Sequence, residues 1–142
     1  MEVGSGPVKP LRVLLVERDP DVSEVFIALM TYLGHEAKAV ASPPEALIWA
    51  KDLVPDIIYT CIVFQDMHGF ELAARIRSMP ELNATSLVLF TGTYYPGIEE
   101  IAKLSGFDNY LLKPVAVERL IESLDAHRNN LAKLRSASTK LP

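Results

Sequence analysis

The chain has 142 residues, 49% hydrophobic and 23% charged, which is the composition of one globular domain with a real core. A formal net charge of -4 gives no electrostatic reason to expect nucleic acid as a partner, and the longest apolar run, over residues 57–64, is far too short to cross a bilayer. A single cysteine excludes an intrachain disulfide, and a cytoplasmic setting follows as the default expectation.

Residues 1–10 form a Gly/Pro-rich leader without the apolar core of a signal peptide, and are expected to be flexible. Residues 13–16 are a short apolar run that reads as a first strand. Asp19 can cap a helix that has Pro20 at its first position, and Val22, Val25, Phe26, Leu29 and Leu33 recur at helical spacing up to Gly34. Residues 36–40 read as strand 2. Ser42-Pro43-Pro44-Glu45 is a capping box, followed by the stripe Ala46, Leu47, Ala50 and Leu53, with Ile48 and Trp49 partly exposed.

After the Pro55-Asp56 break, Ile57, Ile58, Tyr59, Thr60 and Cys61 are β-branched, aromatic or apolar on both faces, which suits a central parallel strand. A helix is expected over about 70–79, strand 4 over 87–90, a helix from Ile98 to a stop at Gly106, and strand 5 over 109–112. The last helix begins near Val117. It continues past Leu131 if the spacing of Leu120, Leu124, His127, Leu131 and Leu134 is a coiled-coil seam, or frays at Asn129-Asn130. Alternating strands and helices predict a three-layer α/β sandwich, with a doubly wound five-stranded parallel sheet of order 2-1-3-4-5. The expected division is a leader over 1–10, a domain over 11–128, and a helix extension with its tail over 129–142. In such a sheet chemistry sits outside the carboxyl ends of the strands, so Cys61 should point into whatever site exists.

Residues 11 to about 127 resemble a response-regulator receiver domain, of the flavodoxin-like, chemotaxis-regulator type. The match is carried by Val13-Leu14-Leu15-Val16-Glu17-Arg18-Asp19-Pro20-Asp21-Val22, Tyr32-Leu33-Gly34-His35-Glu36, Pro55-Asp56, Gly69-Phe70-Glu71-Leu72, Phe90-Thr91-Gly92 and Asp108-Asn109-Tyr110-Leu111-Leu112-Lys113-Pro114. The resemblance implies transfer of a phosphoryl group from a histidine kinase to an aspartate ending strand 3, with magnesium held by carboxylates after strand 1. It also implies Thr91 as the switch hydroxyl, Tyr110 as the switch aromatic, Lys113 as the phosphate-binding amine and a cis bond before Pro114.

Two positions depart from the pattern. Counting back from Gly69-Phe70-Glu71-Leu72 puts the family's acceptor at position 61, which is Cys61, and counting along strand 1 puts its direct magnesium carboxylate at position 18, which is Arg18. Gln65 and His68 stand where the family usually has proline and aspartate. A thiol is a soft ligand and a nucleophile only as thiolate, whereas magnesium prefers hard oxygens. Glu17, Arg18 and Asp19 therefore line an acidic pocket whose magnesium site is expected to be lost, and no cofactor is expected.

Alternatives stand beside these readings. Cys61 is either a redox-sensing thiol near Lys113 or a buried, inert filler of the aspartate's place. Arg18 either pairs with Glu17 or Asp19 or is solvated. Asp66 is either a displaced acceptor or a surface carboxylate. His68 with Cys61 lacks the third group that a thiol hydrolase needs. His35 and His127 have no second ligand at metal spacing. A flavin carrier on this fold would need a Gly-rich turn after strand 1, where this chain has Glu17-Arg18-Asp19-Pro20-Asp21.

The reading is a degenerate, non-enzymatic receiver in bacterial two-component signalling, acting as a phosphorylation-independent protein-binding module. The alternatives are a redox-responsive regulator through Cys61, or a receiver that still answers a phosphodonor at an atypical site. A kinase or output domain is the expected partner, with a homodimer through helix 4, strand 5 and helix 5. Tyr95, Ile98, Tyr110, Leu131 and Leu134 are the interface candidates, and neither a membrane nor nucleic acid is expected.

Overall fold

The computed structural model of the chain describes residues 9–62, 68–92, 94 and 96–140, with side chains described through residue 129. Five strands, β1 (Arg12–Val16), β2 (Glu36–Val40), β3 (Ile57–Thr60), β4 (Ser86–Thr91) and β5 (Asn109–Leu112), form one parallel sheet of order β2-β1-β3-β4-β5. The helices are α1 (Pro20–Tyr32), α2 (Pro43–Leu53), α3 (Gly69–Arg77), α4 (Ile98–Ser105) and α5 (Val117–Lys140). The fold is the one the sequence predicts. A 3-10 turn over Pro80–Leu82 is additional, and it buries Leu82 beneath the approach to β4.

Side chains alternate across the sheet and divide the core in two. Leu14, Val16, Ile58, Leu87 and Leu89 meet Ala46, Ala50, Leu72, Ile76 and Ala102, so α2, α3 and α4 cover one face. Val13, Leu15, Ile57, Tyr59, Val88 and Phe90 meet Phe26, Met30, Leu120 and Leu124, so α1 and α5 cover the other. Every residue of β3 is buried, as its two-faced apolar pattern requires. Tyr59 fills the α1/α5 layer edge-on to Phe26, and its hydroxyl is satisfied by Ser123 of α5 at 2.7 Å. Burial pushes the Tyr59 phenol up to about 12, so it stays neutral.

The helix boundaries follow local chemistry. The Asp19 carboxylate caps α1, accepting from the Asp21 backbone N–H at 2.9 Å, and Ser42 caps α2. Gly106 closes α4 in the left-handed region (φ 108°), and Arg77 stacks beneath it, donating to the Gly106 carbonyl at 2.9 Å and pairing with Asp108 at 2.7 Å. The helix α5 does not stop at Asn129-Asn130 but runs on to Lys140. Leu120, Leu124 and His127 of the expected seam are buried against the sheet, which leaves them no part in a coiled coil. The side chains of Leu131 and Leu134 lie outside the described residues, as do residues 1–8 of the leader.

Gly69 sits where α3 starts against the end of β3, its N–H bonded to the Ile62 carbonyl at 2.6 Å. A Cβ there would lie 2.5 Å from the Cys61 carbonyl oxygen and 2.9 Å from Ile62 Cα, both backbone atoms that cannot swing aside. Gly69→Ala is therefore expected to destabilise the fold by about 1–3 kcal/mol, the usual cost of overpacking. Gly92→Ala is the control, because an added Cβ there meets nothing within 4 Å. Urea midpoints distinguish the two, and equal midpoints would refute the steric argument.

Candidate functional site

The carboxyl ends of β1, β3, β4 and β5 converge on one shallow site. Register does this directly. Val16 pairs with Thr60 and Thr91 with Leu112, so Glu17, Cys61, Thr91 and Lys113 emerge together. Backbone bonds fix their roots: Glu17 N–H to the Val40 carbonyl at 2.9 Å, Cys61 N–H to the Val16 carbonyl at 3.3 Å, and Lys113 N–H to the Thr91 carbonyl at 2.8 Å. The Lys113–Pro114 bond is cis, as the resemblance implies.

The centre of the site is an ion pair. Glu17 is only 5% exposed, and its Oε1 lies 2.5 Å from Lys113 Nζ. Its other oxygen accepts from the Asp19 backbone N–H at 3.0 Å. Lys113 Nζ also stands 4.9 Å above the Phe90 ring, a cation–π contact that fixes the amine over the sheet. Sequence reasoning identified both charged residues but not that they pair, because 96 residues separate them and only the sheet order makes them neighbours.

Cys61 is half-buried beside this pair. Burial, and then the Glu17 carboxylate, push its thiol up. Lys113 and hydrogen bonding from the Arg18 backbone pull it down, and burial prevails. The sulfur is therefore held as a thiol, a poor nucleophile. Thr91 is buried at the end of β4.

Arg18 is exposed and does not pair with Glu17 or Asp19. Of the two readings of Arg18, the structure supports the solvated one. The reason is orientation: residues 17 and 18 leave β1 on opposite faces, so Glu17 turns inward and Arg18 outward. Asp19 is exposed and engaged as the α1 cap. His68 caps α3, its Nδ1 accepting from the Phe70 N–H at 3.2 Å, so its ring serves the helix rather than Cys61. Gln65, Asp66 and Tyr95 lie outside the described residues. Among the described residues no group of three or more His, Cys, Asp or Glu side chains is placed to hold a metal ion.

On the neighbouring face Tyr110 is half-buried, and its hydroxyl donates to Glu99 Oε1 of α4 at 3.1 Å. That bond to a carboxylate raises the phenol further above its ordinary value. Ile98 requires a correction as an interface residue. It is the first residue of α4 and is fully buried against the α3 side of the core. Exposed apolar residues of α4, β5 and α5 include Ile101 (40%) and Leu104 (88%) of α4, Leu112 (40%) of β5, and Val117 (44%) and Ile121 (37%) of α5. Leu104 had a signal in the sequence, since it follows Ala102 by two positions and so lies on the far side of α4, whereas Ile101, three positions after the buried Ile98, shares that residue's flank and had none.

The family model described as "Response regulator receiver domain" matches residues 13–125. The chain is 27% identical over 118 residues to the polar-differentiation response regulator DivK of Brucella anthropi, covering 83% of this chain and 96% of that protein. It is 30% identical over 118 residues to the gliding motility regulatory protein of Myxococcus xanthus, covering 82% of this chain but spanning only 15% of that protein. Among solved structures, a Vibrio cholerae chemotaxis protein superposes with a TM-score of 0.78 at 24% identity, covering 83% of this chain and 98% of that one. The signal receiver domain of an HD domain-containing protein from Pseudomonas fluorescens superposes with a TM-score of 0.77 at 22% identity, covering 99% of this chain and all of that one. With its parallel sheet of order 2-1-3-4-5 and a family match over most of its length, this chain belongs to the response regulator receiver domain family, the signalling modules of two-component pathways.

Proposed function

We propose that this receiver works without phosphorylation, as a protein-binding module whose former phosphoryl site is now a fixed structural contact. The observation that carries this reading is the thiol of Cys61 at the end of β3, beside a Lys113 amine already committed to Glu17. Three features support it. No carboxylate stands at position 61 to form an acyl phosphate. The thiol is held protonated by its burial. The oxygens that magnesium would need are engaged elsewhere, Glu17 with Lys113 and the Asp19 backbone, and Asp19 as a helix cap. Magnesium does not fit this donor set. The raised thiol also argues against a redox role for Cys61, since sensor cysteines are low-pKa thiolates.

The binding surface in this reading is the face formed by α4, β5 and α5, where Ile101, Leu104, Leu112 and Ile121 are exposed beside Tyr110. Its partner is a kinase, an output domain or a second copy of the chain.

Three outcomes are expected. Acetyl phosphate or beryllofluoride with magnesium leaves the amide NMR shifts of Thr91 and Tyr110 unchanged. Site-specific shifts that require both anion and magnesium would overturn the reading.

Lys113→Met leaves Glu17 buried without its countercharge and is expected to cost roughly 1–3 kcal/mol, discounted from a fully buried pair because Lys113 is 25% exposed. Adding Glu17→Gln to it should recover part of that loss. A double-mutant cycle with no coupling would remove the pair from the centre of the site.

The third outcome concerns self-association through the extended α5. Sedimentation should show a dimer at concentrations up to about 100 μM that weakens when Leu131 and Leu134 are both changed to Ser. A monomer in both proteins would exclude the homodimer. A dimer indifferent to the change would place the contact on Ile101 and Leu104.

A further inference from the structure

The opposite end of the sheet, where the strands begin, carries a polar layer that the signalling site does not use. His127 of α5 is 2% exposed. Its Nδ1 lies 2.7 Å from Ser86 Oγ at the start of β4, and its Nε2 is buried with no hydrogen-bond partner among the described residues. His35, leading into β2, is 8% exposed, and its Nδ1 accepts from the Leu11 N–H at 3.0 Å. That ring is therefore neutral. Arg128, the next residue of α5, donates to the Lys9 carbonyl at 3.1 Å and tethers the entering chain to the same spot. Beyond it α5 continues as a helix to Lys140.

We propose that His127 is a proton-operated clasp, holding the end of α5 and the chain at Lys9 against the base of the sheet while neutral and releasing them when it gains a proton. In either tautomer one ring nitrogen serves Ser86 and the other faces no acceptor. A proton added to the ring creates a buried N–H without a partner and a buried charge without a counterion. The surrounding charges do not supply one. Asp56, before β3, is committed to the Arg12 N–H at 2.8 Å, and Asp108, before β5, to Arg77 and the Leu87 N–H. Burial, with Arg128 acting in the same sense, outweighs the two carboxylates that favour the imidazolium, so the ring is held below the ordinary value of 6.5. His35 is lowered in the same sense, by burial and Arg128 against Asp56.

The sign follows. Above about 6.5 both rings are neutral, folded or released, and the clasp is at full strength. As pH falls from there through the lowered folded-state value, the released form binds the proton first and holding weakens. Undocking of this one turn would free both the entering chain and the root of the C-terminal helix, and so would couple acidity to whatever the helix joins. This holds whether or not the phosphoryl site works.

The test is amide hydrogen exchange on the full chain at pH 7.5 and 5.5, corrected for intrinsic rates. Protection of the α5 amides from Asp125 onward should fall several-fold relative to the β1 and β4 core amides, towards the limit of about tenfold that a single imidazole can contribute between these two pH values. His127→Gln, which keeps a partner for Ser86 but cannot titrate, should abolish the step. A loss spread evenly over the sheet, or a step that persists in His127→Gln, would overturn the proposal. Should that variant not fold, ring titration of His127 by NMR in the unaltered chain decides. A midpoint that coincides with α5 opening supports the clasp, and one that does not excludes it.

Discussion

A buried carboxylate must have a partner, and in this domain that requirement shapes the whole top of the sheet. Glu17 leaves β1 pointing inward and is almost wholly screened from water. Its uncompensated burial would cost several kcal/mol. Lys113, arriving from β5 across the tips of β3 and β4, supplies the charge. The pair therefore spans four of the five strands. It holds the loop after β5 down on the sheet, and with it the cis Lys113–Pro114 bond and the start of α5. Cys61 lies within the field of both charges and is kept neutral by the same burial that makes the pair necessary.

The two ends of the sheet solve the same problem in different ways. At the carboxyl ends, charge is neutralised by charge. At the amino ends, the buried polar side chains are matched by neutral bonds, Ser86 to His127, His35 to the Leu11 N–H, and Thr85 to the Pro55 carbonyl, with the charged groups Asp56, Arg77 and Asp108 nearer the surface. Neutral matching works at a single protonation state.

The architecture was legible because its determinants are local. Caps at Asp19 and Ser42, the glycines at 34 and 106, and two-faced apolar runs for β3 and β4 each specify an element from its own few residues. The places of Cys61 and Arg18, each just beyond the end of a strand, were legible for a related reason, since the strands that precede them are read from their own residues. Sequence could not supply what depends on side-chain direction. Arg18 and Glu17 are adjacent in the chain, and only the pleat decides that one faces water and the other Lys113. Ile98 looked like a surface residue on an amphipathic helix, yet as the first residue of α4 it turns into the core and leaves Ile101 and Leu104 outside. Val54 ends α2 in the left-handed region (φ 45°), where glycine would be the local choice, so no local rule announced it.

In the reading proposed above, Lys113 has a structural role although position 61 is a cysteine. In a phosphoryl-accepting site the amine waits for an anion that comes and goes. Here it has a resident anion in Glu17, and the resident is buried more deeply than the lysine itself. A site built this way gains rigidity from the residue that would otherwise report phosphorylation. Thr91 and Tyr110 keep the family's residue types, but Tyr110 is tied to Glu99 at the surface of α4, which joins β5 to the apolar face carried by Ile101 and Leu104. The Tyr110–Glu99 bond thus ties β5, the strand that leads to Lys113, to the outer surface of α4.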